Sequence, residues 1–258
     1  MAETGKKRGP KKDKKQRDQH RKDHKAKKPQ RGISVPTNEL EGAGLPVSEA
    51  LAASTSVPPT SVVDFWFDPT CPWAWLTSRW MLQVEKVRPV KTLFHVMSLS
   101  VLNQDRDIPE EYRTRMDAAW APARVALGVG EQYGQEQLAA FYNALGTRFH
   151  PRQEDNSRGT LEAALTEVGL PPEMADLGDT GDNDDALRRS HNAGMDAVGV
   201  DVGTPVLLVN GSAIFGPVMS PSPVGEEAGR IFDAVLELTS YAGFFELKRS
   251  RTADPIFD

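Results

Sequence analysis

The chain has 258 residues, 39% of them hydrophobic and 26% charged, enough for one large or two small domains of ordinary globular composition. Its net charge of −5 hides a split: residues 1–31 hold 14 Lys and Arg against 4 Asp and Glu, whereas residues 32–258 hold 17 against 32. A single cysteine excludes an intramolecular disulfide, and the N-terminal charges precede no apolar h-region. No run of 18 apolar residues occurs, so a cytoplasmic chain without a membrane span is expected.

Residues 6–31 carry no apolar side chain larger than Ala26, so they cannot offset the entropy of ordering and are expected to be disordered. This basic tail suits RNA, DNA, anionic lipid or an acidic partner, although no aromatic residue is interleaved for base stacking. It equally fits a solubilising extension. His20 and His24 stand four apart without further ligands, and no metal site is expected. Residues 32–60 shift to Ser, Thr, Pro, Ala and Gly and read as a flexible linker, with the folded domain beginning near Ser61.

The domain opens on an apolar run, Val62 to Phe67, closed by Asp68-Pro69 and followed by Cys71-Pro72. This order predicts strand, tight turn, thiol and helix, with Pro72 at the first helical position, where its missing N–H is no loss. Unpaired donors at a helix start favour the thiolate, so Cys71 reads as an activated nucleophile, the alternative being a small buried hydrophobe. Leu76, Trp80, Val84 and Val87 recur at helical spacing as the buried stripe, with Trp73 and Trp75 outside it. Trp73 would flank the thiol as a flat apolar contact for substrate, or pack at the domain edge. Thr92–Met97 predicts a second strand that completes a right-handed βαβ unit, with His95 as a satisfied core histidine.

The next hundred residues read as an inserted helical bundle, about 104–199. A helix begins at Pro109, Pro122 breaks the pattern after Trp120, and Asp182 or Asn183 caps a further helix that bears His191 on its apolar face as a structural residue. Two apolar runs joined by Asn210-Gly211 predict a hairpin, because both residues tolerate the positive φ of a type I′ turn. A last helix, roughly 225–239, would turn Ile231, Val235 and Leu238 inward.

The stretches FWFDPTCPWAW and FHVMSLSVLN, together with the Val-Gly-Thr-Pro step ending at Pro205, resemble the DsbA family of thioredoxin-fold oxidoreductases, in particular the actinobacterial branch of mycothiol-dependent nitroreductases and mycoredoxin-like proteins. The resemblance spans about residues 61–258 and implies an α/β thioredoxin-like fold with an inserted α-helical subdomain. It implies a cis Pro205 beside the thiol, with the Thr204 backbone free to pair with a bound disulfide. It also extends to Asn103 and Tyr112 as hydrogen-bonding groups over the thiol, which otherwise read as a turn residue and a helix-surface amphipath.

Members of that branch usually carry Cys-Pro-Trp-Cys, whereas this chain has Cys71-Pro72-Trp73-Ala74. Ala74 cannot resolve a mixed disulfide, so the resemblance implies monothiol exchange at Cys71, with mycothiol as the outside thiol co-substrate. Two alternatives belong to other classes. One is a mycothiol-dependent, kappa-type transferase or isomerase acting on small electrophiles; the other is a non-catalytic thioredoxin-like binding protein tethered to nucleic acid by its tail.

Overall fold

The computed structural model describes residues 60–257, so the expectations for the basic tail and nearly all of the linker fall outside the described residues. The first strand, β1 (Ser61–Phe67), is the centre of the sheet. Its alternation sends Val63, Phe65 and Phe67 to one face, all fully buried, and Trp66 to the other. Helix α1 (Pro72–Val84) follows, and β2 (Val90–Val96) returns parallel to β1, with Ser61 opposite Val90 and Phe67 opposite Val96.

The chain then runs through five helices and a 3-10 segment before it rejoins the sheet. They are α2 (Leu99–Asn103), α3 (Glu110–Ala118), α4 (Trp120–Phe149), α5 (Arg158–Glu167), the 3-10 segment Pro172–Asp179, and α6 (Asp184–Val198). Strands β3 (Val206–Val209) and β4 (Ser212–Phe215) form the expected hairpin, with positive φ at both Asn210 and Gly211. Helix α7 (Gly225–Ser240) closes the domain. The sheet order is β2-β1-β3-β4, with β3 antiparallel to β1. A βαβ unit and a ββα unit sharing one sheet make this a thioredoxin-like α/β fold.

Three local expectations are corrected. Pro122 does not break a helix: it sits in the first turn of α4, where its missing donor has no partner to lose. The interruption falls instead at Gly134 (φ 81°), one residue before Gln135. Gln135 reaches the outer edge of β2, where its side chain accepts from the Phe94 N–H at 2.8 Å and donates to the Phe94 carbonyl at 2.9 Å, occupying an otherwise unpaired edge.

Trp75 is not outside the buried stripe. It is 3% exposed, because α4 covers the second face of α1: its ring meets Tyr142 edge-on at 5.6 Å, and a Cβ on Gly146 would lie 2.3 Å from the indole. In α7 the inward face is Ala228 and Phe232, with Ile231 and Val235 partly buried against the same core, whereas Leu238 is 41% exposed. Trp80 of α1 sets that rotation, donating its indole N–H to the Ala228 carbonyl at 3.0 Å and packing on Phe232.

Candidate active site

The thiol stands where β1 gives way to α1. Asp68 ends the strand fully buried, and its carboxylate organises the turn by accepting from the Thr70 N–H at 2.8 Å, the Thr70 hydroxyl at 2.6 Å and the Leu99 N–H at 2.7 Å. The Asp68 carbonyl accepts from the Cys71 N–H at 3.0 Å, which fixes Cys71 as the N-cap of α1 with Pro72 in the first turn. From there the sulfur accepts from the Ala74 N–H at 3.5 Å, as a side chain at a helix start does.

The second wall comes from 133 residues further on. The Thr204–Pro205 peptide is cis, and the Thr204 carbonyl accepts from the Cys71 thiol at 3.5 Å. The Thr204 hydroxyl donates to the Trp66 carbonyl at 3.0 Å, tying this loop to β1. The thiol itself thus occupies the Thr204 carbonyl.

That contact matches the electrostatics. The expectation of a resting thiolate is overturned, for Cys71 is 5% exposed and burial pushes its thiol up to about 12. The Ala74 N–H opposes this and the Asp68 charge adds to it. The helix start acts in the expected direction, but one long amide contact restores less than the sulfur loses by leaving water. Cys71 thus caps the helix as a buried, protonated thiol.

A third element supports the turn from outside the sheet. His150, which ends α4, donates from Nε2 to the Pro69 carbonyl at 3.1 Å. Burial holds this ring at about 4, so it is neutral.

A family model, Rv2466c-like, described as "Mycothiol-dependent nitroreductase Rv2466c", matches residues 70–249 and so includes both Cys71 and Pro205. The chain belongs to this family. Among curated proteins, the Mycobacterium tuberculosis "Uncharacterized protein Rv2286c" is 26% identical over 195 residues, 74% of this chain and 83% of that one. Two similar solved structures are the probable DsbA oxidoreductase SCO1869 from Streptomyces coelicolor and the cytosolic disulfide reductase DsbM from Pseudomonas aeruginosa with GSH. The first has a TM-score of 0.48 at 13% identity, over 75% of this chain and 94% of that chain. The second has a TM-score of 0.44 at 15% identity, over 69% and 100%.

In this member of the mycothiol-dependent nitroreductase family, the remaining candidate residues divide. Trp73 is half-buried in the first turn of α1, while the buried Ala74 offers only its amide. Tyr112 is half-buried, and burial first holds its phenol above the usual range. Asn103 is buried in α2. Its amide donates to the Leu99 carbonyl at 2.8 Å and to the Met116 sulfur at 3.8 Å, so it braces α2 against α3.

His95 pairs with Asp64 at 2.7 Å and stacks on Trp66, partly exposed rather than in the core. His191 is structural as expected, buried and accepting from the Ser98 N–H at 3.4 Å. No helix among the described residues is long and apolar enough to cross a membrane, and no metal-ligating cluster occurs among them.

Two neutral buried histidines make the fold acid-sensitive with a definite sign. His150 and His191 are both held at about 4 by burial, whereas an unfolded histidine titrates near 6.5. Between these values the unfolded chain binds more protons. Stability therefore falls as pH drops from about 6.5 toward 4, by up to about 1.4 kcal/mol per pH unit for each histidine. Asp68 opposes this, because burial raises its carboxyl and the folded state takes up that proton first. The thermal midpoint is expected to drop between pH 7 and pH 5, and to drop less in His150→Gln. Equal pH slopes in the two proteins would show that His150 is not held neutral.

Proposed function

We propose that this family member is a thiol-disulfide oxidoreductase that works with one thiol, Cys71, and draws on mycothiol as co-substrate in a reducing, thiol-rich compartment. The observation that carries the reading is the sulfur's position: it caps α1, touches the carbonyl ahead of cis Pro205, and has Ala74 where a resolving cysteine would stand. The donor set suits a thiol partner. Half-buried Trp73 and Tyr112 would offer a partner thiol polar and aromatic surface without a charge of their own at neutral pH, and the Thr204 backbone becomes available once the thiol turns away from it.

The cycle has two exchanges. Cys71 attacks a disulfide between mycothiol and a protein or small molecule; its new S–S bond forms as the old one breaks, and the departing sulfur takes the Cys71 proton. The Ala74 N–H lies within reach of the sulfur as charge passes through it. A second mycothiol then attacks the mixed disulfide on Cys71, which leaves as thiolate and regains a proton, and the oxidising equivalents depart as mycothiol disulfide. Reactions that need two thiols on one chain, nitroreduction by a dithiol among them, lie outside this cycle.

The test is intact mass. Purified protein incubated with mycothiol disulfide is expected to gain one mycothiol on Cys71, and added free mycothiol is expected to remove it. A chain that stays unmodified, or an adduct that free mycothiol cannot release, would sink the exchange reading.

A further inference from the structure

The C-terminal segment lies beyond the matched span, which ends at residue 249, and it folds back on the thiol turn from two sides. Ser220 is its anchor: the hydroxyl donates to the Asp254 carbonyl at 3.3 Å and accepts from the Ile256 N–H at 2.8 Å. Beyond the anchor, the Phe257 ring stacks on His150 with centroids 5.7 Å apart, and His150 holds the Pro69 carbonyl. Before it, the guanidinium carbon of Arg251 lies 4.9 Å from the centre of the Trp73 ring. One strap thus touches groups that bear on the chain two residues before Cys71 and two residues after it.

We propose that Arg251, held over Trp73 by a strap pinned at Ser220 and His150, is a positioning residue for negative charge on the Cys71 sulfur. The inference deepens the exchange reading above and rests on it, because each exchange passes charge through that sulfur. Arg251 does not touch the reacting atoms; it acts through its field and through the wall it forms with Trp73. Among the described residues its charge is in no ion pair.

The other ionisable groups whose charge couples to the sulfur are Asp68 just after β1, Tyr112 on α3 and Tyr142 on α4. Each is neutral or negative, so none can do what a cation does there. The Arg251 charge acts to lower the thiol, against its burial. A cation stacked on an indole is held by the ring's negative face, which gives an exposed arginine a fixed place without a carboxylate.

The test follows Cys71 alkylation by iodoacetamide against pH in the full chain, which needs no mycothiol. Arg251→Ala is expected to slow alkylation about two- to five-fold below the titration midpoint, the range of an exposed charge interaction, and to move the midpoint upward. Arg251→Lys should recover most of the rate, and Phe257→Ala, which frees the strap, should shift the profile in the same direction as Arg251→Ala. Salt near 1 M, where the Debye length is about 3 Å, should erase the difference between wild type and Arg251→Ala. An Arg251→Ala profile that superposes on wild type, or an Arg251→Lys variant no faster than alanine, would overturn the proposal. If the alkylation shift appears while mycothiol disulfide leaves no adduct, the exchange reading falls and the charge effect on the sulfur stands.

Discussion

Cys71→Ser is expected to reduce thiol-disulfide exchange to the uncatalysed background while leaving the fold intact. The chain contains no second cysteine, so no other residue can take up the sulfur that Cys71 would accept. Serine keeps the cap geometry: its oxygen can accept from the Ala74 N–H and donate to the Thr204 carbonyl, the two contacts the sulfur now makes. The thermal midpoint should therefore stay close to wild type while exchange vanishes, and that combination separates the readings. A kappa-type transferase or isomerase uses the protein to position an outside thiol, so a serine at this helix start could still hold it and some turnover would survive. Exchange has no such fallback. Both reactions are read on one preparation, exchange by release of mycothiol from a mixed disulfide and transfer by consumption of a small electrophile. Retained exchange in Cys71→Ser would remove Cys71 from the chemistry altogether.

The parts of the site legible in the sequence are those fixed by local backbone rules. A strand ending in Asp-Pro, a proline at the first helical position and an Asn-Gly hairpin each state their own geometry, and β1, α1 and the β3–β4 turn follow them. The state of the thiol was not legible, because burial is a tertiary quantity. The same helix start that favours a thiolate in water leaves it protonated once Thr204, Ala74 and their neighbours close around it.

Asp68 was read as a turn residue, which it is, yet its full burial and its bond to Leu99 depend on a loop 31 residues away. Asn103 stands over the thiol by resemblance alone, and of the two bonds of its amide N–H group, to Leu99 and Met116, the second depends on a helix residue 13 positions further on. The C-terminal residues carried no periodic signal. Their placement follows from Ser220, His150 and Trp73, three positions that no local pattern connects to them.

Ala74→Cys is expected to convert the proposed one-thiol cycle into a dithiol one. In an α-helix, residues three apart have Cα atoms about 5 Å from each other, inside the range a disulfide can bridge. Position 74 also already presents its backbone to the Cys71 sulfur. The residue is fully buried, so an added sulfur presses on packed neighbours and should destabilise the reduced protein by about 1–3 kcal/mol.

Once Cys71 carries mycothiol, the new thiol attacks the Cys71 sulfur and expels the mycothiol. The enzyme is left with an internal disulfide and the adduct does not accumulate. An internal thiol acts at an effective concentration of millimolar or more, so resolution should run roughly a hundred-fold faster than with about 10 μM free mycothiol, and independently of its concentration. Intact mass then shows a loss of two hydrogens in place of a mycothiol adduct. Reduction of protein disulfides without an outside thiol should appear in the variant. If the variant instead accumulates a long-lived adduct cleared only by added mycothiol, a sulfur at position 74 does not reach Cys71, and the absence of a second cysteine would not be what limits the native chain to one-thiol chemistry.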